Sequence, residues 1–200
     1  MGRKPLDKPR ESDWERVSRW SQRLFPLFSA YGIKDLSMDR AAEELQCSKA
    51  TIYRYCRSKE DLIRLVLMEK LSVLGGFKER LESKQGSTKE RYMESLKFLV
   101  ESTQDISALF LRDLRIVFPD LWEEVNQFKA FAMNALEHFY RTEITQGNLK
   151  PIPVEILVEL DEIFLTKLTS GEGFRTIDIP VSKALDAYFK VRLEGMLLNS

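Results

Sequence analysis

The chain has 200 residues, 44% of them hydrophobic and 31% charged, with 31 basic side chains against 31 acidic ones. That composition belongs to an ordinary folded protein able to bury one large core or two smaller ones, and it excludes disordered, fibrous and disulfide-rich classes. No apolar run approaches the roughly 18–20 residues needed to cross a bilayer, so no membrane partner is expected.

The stretch from Met1 to Asp13 is mostly charged residues or Pro and carries no apolar signal segment. Cys47 and Cys56 match no metal spacing, and free thiols in a reducing cytoplasm are the simplest expectation. The charge is unevenly spread: residues 1–70 hold 15 Lys/Arg against 11 Asp/Glu, whereas residues 71–200 hold 16 against 20. A polyanion is therefore expected at the N-terminal end.

Residues 1–12 carry Arg3, Lys4, Lys8 and Arg10 among two prolines and read as a flexible basic arm. It is either a solvated tail or a strand that touches phosphate or the minor groove. From Asp13 to Tyr31 the residues Val17, Trp20, Leu24, Leu27, Phe28 and Tyr31 recur at helical spacing, which predicts an amphipathic helix interrupted by Pro26 and closed by Gly32. Ser37 caps a short second helix with Ala41, Ala42 and Leu45 facing inward, and Ser48 caps a third with Ile52 inward. Ser58-Lys59-Glu60-Asp61 opens a fourth helix that runs towards Gly75-Gly76 and is expected to weaken or bend there.

The remainder reads as helix throughout. Ser87 with Glu90 forms a capping box, and a densely apolar stretch from Ile106 to Phe118 ends at Pro119, which suits the first position of the next helix. Gly147-Asn148 stops that helix, and two more follow at residues 154–168 and 181–198, separated by a Gly-containing loop. No strand pattern of useful length and no internal repeat is present, so the fold class is all-α.

Residues 37–55 predict two helices of about seven or eight residues joined by a three-residue turn. Helices this short are unstable alone. A helix-turn-helix explains them, because its first helix braces and its second is presented to the major groove. With Ile52 and Cys56 inward, Lys49, Ala50, Thr51, Tyr53, Arg54 and Tyr55 are left facing outward or sideways. Cations, hydroxyls and aromatics on one short surface suit phosphate contacts, and Ala50 permits close approach to a base edge. Lys59 stands at the next helix N-terminus, where backbone N–H groups also favour phosphate.

The segment LSMDRAAEELQCSKATIYRYCRSKEDLI, residues 36–63, resembles the DNA-binding signature of the tetracycline-repressor (TetR) family. Ser37, Ala42, Ser48, Ile52, Tyr53, Tyr55, Lys59, Glu60 and Leu62 match its pattern, and Arg23-Leu24-Phe25 with Tyr31-Gly32-Ile33 resemble the end of its first helix. The resemblance implies that Ser37, Ser48, Thr51, Tyr53 and Lys59 grip phosphates while Lys49, Ala50, Arg54 and Tyr55 lie nearest the bases. Three positions depart from the pattern. Ala41 stands where Ile or Val is usual. Gln46 replaces the turn glycine, which requires either φ < 0 or a strained left-handed backbone. Cys56 replaces a core Phe, a loss of about 1–3 kcal/mol unless Trp20 or another large group fills the space.

The resemblance further implies a layout of arm (1–12), DNA-binding domain (13–58), linking helix (59–74) and ligand-binding and dimerisation domain (75–200). Dimerisation would use the last two helices, which carry more apolar surface than one buried stripe needs. On this reading the protein is a regulator, expected to be a repressor released from a palindromic operator by a small, largely apolar effector, with no cofactor.

The aromatics in the middle of the chain are either plain core or the walls of a pocket. A pocket would draw on Phe98, Phe110, Leu114, Trp122, Phe128, Phe131 and Phe164, with His138, the only histidine, as a polar contact. An all-helical enzyme is disfavoured, since there is one histidine, no E-x-x-H pair, no P-loop and no G-x-S-x-G. Glu155, Glu159, Asp161 and Glu162 read as a solvated face. A constitutive binder with a filled core is the third reading. Tyr53→Ala and Lys59→Ala are each expected to weaken binding to every duplex and to flatten its salt dependence; unchanged gel-shift affinity in both would contradict the docking.

Overall fold

In the computed structural model, residues 11–170 and 179–198 are described. The expected basic arm up to residue 10 and residues 171–178 of the expected loop lie outside them. The first helix, α1 (Glu11–Tyr31), begins two residues ahead of the start that periodicity predicts. Val17, Trp20, Leu24, Leu27 and Phe28 are buried on one side as their spacing requires, and Phe25 is buried with them. Tyr31 corrects the expected face: it is 63% exposed, with the Arg40 guanidinium 3.9 Å above its ring. Gly32 ends the helix at φ 73°, its N–H bonded to the Phe28 carbonyl.

Two short helices follow, α2 (Met38–Glu44) and α3 (Lys49–Ile52). Ser37 accepts the Arg40 N–H and Ser48 accepts the Thr51 N–H, so each hydroxyl satisfies one of the donors a helix start leaves unpaired. The third helix is shorter than expected, at four residues, and continues as hydrogen-bonded turns to Cys56. Ala41, Ala42, Leu45, Ile52 and Cys56 are buried between it and α1. The smaller Cys56 side chain is 2% exposed, with Trp20 buried in the same core. Burial pushes its thiol up to about 12, so the group is an inert core element.

Ser58 caps α4 (Lys59–Gly75), and Asp61 returns a bond to the Arg57 N–H. The expected break at the two glycines is present: α5 (Phe77–Leu81) starts directly after Gly76. The Ser87–Glu90 capping box opens α6 (Thr88–Ser102), Ser107 caps α7 (Ala108–Val117), and Pro119 stands first in α8 (Pro119–Thr145). The last two helices are α9 (Val154–Thr169) and α10 (Val181–Met196). All elements among the described residues are helical, with one isolated antiparallel bridge between Leu149 and Leu197.

α4 is the central strut, packing on α1 on one side and on α5, α6 and α8 on the other, while α6 packs on α10 and α8 on α9. Two polar clusters pin the C-terminal helices. Glu143 of α8, 1% exposed, takes hydrogen bonds from Thr88, Arg91 at 2.7 Å and Asn148 at 3.0 Å. Burial pushes its carboxyl up, but these donors and the Arg91 charge outweigh that and leave it below the usual range.

Asp161 overturns the expected solvated face, because α9 turns it fully inward. It accepts the Tyr140 hydroxyl at 2.6 Å, the Tyr188 hydroxyl at 2.9 Å and Arg192 Nε at 3.1 Å, joining α8, α9 and α10 through one carboxylate. Burial raises its pKa despite those partners. Glu155, Glu159 and Glu162 are exposed as expected.

The turn between α2 and α3 takes the strained alternative, with Gln46 at φ 52°. A side chain in the left-handed region costs about 1–2 kcal/mol that glycine does not incur. Part of this returns as the greater unfolded-state entropy of glycine. Gln46→Gly is therefore expected to stabilise the fold by about 0.5–1 kcal/mol, read from the midpoint of urea unfolding; a lower midpoint would show that the Gln46 side chain contributes more than its backbone costs.

Candidate nucleic-acid interface and ligand cavity

The fourteen-residue span from Ser37 to Ala50 places two N-caps and the intervening turn on one exposed edge. On α3 and the turn after it, Lys49, Ala50, Tyr53 and Arg54 are exposed, whereas Ile52 is fully buried and fixes the rotation of the helix. Ser37 and Ser48 are exposed as well, and Thr51 is half-buried with its hydroxyl 3.0 Å from that of Ser48. These residues form one surface of hydroxyls, cations and an aromatic ring, chemistry suited to phosphate oxygens and groove edges.

Three site residues are drawn into internal contacts that sequence did not reveal. Lys49 Nζ lies 2.8 Å from Asp39 of α2, a bond that raises its pKa. Tyr55 is half-buried, receives Arg16 Nη1 on its hydroxyl at 2.8 Å and meets Trp20 edge-on at 5.2 Å. It braces α3 against α1 and does not stand beside Tyr53. Lys59 Nζ donates to the Lys34 carbonyl at 2.9 Å, holding the loop that precedes α2. Lys59→Ala is thus expected to disturb packing as well as charge.

A seam ties this surface to the rest of the molecule. Asp113 of α7 is buried and accepts the N–H groups of Ile33 and Lys34, at 3.1 and 3.3 Å, where the chain leaves α1. A Cβ at residue 32 would collide with that carboxylate, so the glycine is required both by its positive φ and by the close approach. Beside it, Ser107 Oγ donates to the Ser29 carbonyl at 2.8 Å, Ser29 Oγ donates to the Asp105 carbonyl, and Lys70 of α4 pairs with the Asp105 carboxylate. Nothing at sequence level named Asp113, although a lone carboxylate inside a densely apolar stretch was the available signal.

Behind the seam, α4 to α10 enclose a cavity of about 140 Å³ walled by carbon, including Leu67, Leu71, Leu74, Phe77, Leu96 and Leu185. Of the residues expected to line a pocket, Phe110 and Phe128 do so. The other six lie elsewhere. Leu114 is in the packed core; Phe98 sits under the Arg80 guanidinium; Trp122 is half-buried near Lys129; Phe131 is exposed beside Lys78; His138 is exposed on α8; and Phe164 stacks on Tyr188 at 3.8 Å. Density of aromatics along the chain did not report which face each helix turns to the cavity.

A buried, carbon-lined cavity behind a short exposed helix, joined by hydrogen bonds through α1, α4 and α7, defines a helix-turn-helix protein with a helical C-terminal half. Residues 25–66 match the family model described as bacterial regulatory proteins, tetR family. An HTH-type transcriptional regulator of Staphylococcus aureus (strain USA300) is 28% identical over 95 residues, 48% of this chain and 51% of that protein. The chain thus spans about half the length of the curated relatives it matches.

Two solved structures share the fold: the TetR-family regulator PfmR of Thermus thermophilus (TM-score 0.61, 18% identity, 88% of this chain and 98% of that one) and a TetR-family regulator of Agrobacterium tumefaciens (TM-score 0.68, 15% identity, 92% and 98%). All three of these proteins are described as transcriptional regulators. No helix among the described residues is long and apolar enough to cross a membrane.

Removing the Asp113 carboxylate leaves two backbone donors without their partner. Asp113→Ala is expected to cost about 1–3 kcal/mol of stability, measured as a lower urea midpoint; an unchanged midpoint would show that water replaces the carboxylate at no cost.

Proposed function

We propose that this protein is a homodimeric transcriptional repressor that reads a palindromic operator and leaves it when a small, largely apolar effector enters the cavity. The observation that carries the reading is the outward set Lys49, Ala50, Tyr53 and Arg54 on a short helix whose rotation is fixed by buried Ile52. On this reading Ser37, Ser48, Thr51, Tyr53 and Lys59 contact phosphates, while Lys49, Ala50 and Arg54 approach base edges, with Tyr55 placing the helix from behind.

A single copy of so short a helix reads few base pairs, and two copies about one DNA turn apart read a palindrome. An apolar stripe on α9 supports the pairing: Ile156, Leu160 and Ile163, spaced four and three residues apart, are each at least 45% exposed. On α10 the exposed line Ala187, Val191 and Gly195 is small enough to admit a close helix neighbour. Two such helices from each subunit form a four-helix contact.

The effector acts by favouring one spacing of the two reading heads over the other. The route open to it is α4, which lines the cavity through Leu67, Lys70, Leu71 and Leu74 and begins at the reading head. The cavity itself supports a responsive protein over a constitutive binder with a filled core.

Leu160→Glu places a charge in the proposed dimer face without touching the reading head. It is expected to sediment as a monomer and to bind duplex at least about tenfold more weakly than the native chain. A variant that remains dimeric, or a monomer that binds as tightly, would contradict the proposed assembly.

A further inference from the structure

The reading of the cavity as an effector site can be taken further through its polar lining. Ser95 donates to the Phe77 carbonyl at 3.0 Å, Thr103 to the Leu99 carbonyl at 2.7 Å, Thr169 to the Leu165 carbonyl at 2.8 Å, and Lys70 is paired with Asp105. These groups are spoken for. Tyr92 keeps a buried hydroxyl with no hydrogen bond, but its ring is packed among Phe139 and Phe189, and the buried Asp161 charge acts on it. The remaining group is Lys129 of α8.

Lys129 stands where two spaces meet. It lines the carbon-walled cavity, and together with Leu165 it also lines a groove of about 470 Å³ between α8 and α9, whose other walls include Asn126, Asn134, Glu162 and Thr166. The residue is half-buried, and among the described residues no carboxylate is in ion-pair range of it; its aromatic neighbour is Trp122, at 5.7 Å. Burial lowers its pKa, against the opposing charges of Glu162 and Glu123. The other carboxylate on the groove, Glu137, is engaged by Arg141 at 2.8 Å. A cation so placed is partly desolvated and has no carboxylate partner of its own, and a charge-assisted hydrogen bond to an arriving anion is stronger than a neutral one.

We propose that the effector is an amphiphile with one hydrocarbon chain and a terminal carboxylate, the chain lying in the cavity and the carboxylate meeting Lys129 where the cavity opens into the α8–α9 groove. This rests on the effector reading of the cavity. The size agrees with a small occupant, since a dry cavity of about 150 Å³ accepts a molecule as large as benzene. The lining is almost entirely carbon, from Phe25 of α1 to Phe189 of α10, which suits a hydrocarbon chain. The groove side of α9, carrying Val158, Glu162 and Leu165, is turned away from its exposed stripe Ile156, Leu160 and Ile163, so the carboxylate site and the proposed dimer face do not compete.

The test is calorimetric titration of the full chain with octanoate and with 1-octanol, repeated on Lys129→Met and Lys129→Arg. The native chain is expected to bind octanoate at least tenfold more tightly than octanol. Lys129→Met should bring the two to within about threefold while octanol affinity holds, which also shows that the variant is folded, and Lys129→Arg should restore the preference. Octanol binding as tightly as octanoate to the native chain, or a preference that survives Lys129→Met, overturns the carboxylate assignment and leaves the effector cavity standing. Binding of neither compound overturns both.

Discussion

A four-residue helix cannot hold itself together in water, and the surface proposed to read DNA depends on that constraint being met from outside. Ile52 and Cys56 are buried in a core supplied by α1, α2 and α4, Tyr55 is clamped by Arg16 and Trp20, and the Ser48 hydroxyl closes the first turn. Every outward side chain inherits its direction from those contacts. The helix therefore takes its position, and the direction of Lys49, Tyr53 and Arg54, from α1, α2 and α4.

The same dependence joins the two halves. α1 leaves its last turn under the Asp113 carboxylate, and the corner between α6 and α7 is bonded to Ser29 and Lys70. α4 has its N-terminus in the reading head and its C-terminal half in the cavity wall. On the proposed function, an effector in the cavity would act on a strut whose far end carries the surface proposed to face DNA. Deeper in, Glu143 ties α8 to α6, and Asp161 joins α8, α9 and α10 through one carboxylate.

What sequence reveals here follows the range of the interaction. Caps act over three residues, and Ser37, Ser48, Ser58 and Ser87 all start helices as their spacing predicts. The buried stripe of α1 and the break after Gly75 are local too. Gln46 could be narrowed to two backbone states, and only coordinates distinguish them. Contacts across the chain were not legible: Lys49 with Asp39, Lys59 with Lys34 and Asp113 with Ile33 each depend on how helices cross. Asp161 was hidden because one buried carboxylate among exposed ones has no periodic signature. The cavity was misjudged for a related reason, since an aromatic such as Phe131 or Phe164 satisfies the same composition whether it faces a cavity, a neighbouring ring or solvent.

The central claim is that two outward helices read duplex DNA together, and selection of bound duplexes from a random pool by the native chain tests it most directly. The account predicts enrichment of an inverted repeat whose half-sites lie about one helical turn, or a multiple of it, apart. Enrichment of a single asymmetric site, or no enrichment over the starting pool, would contradict it.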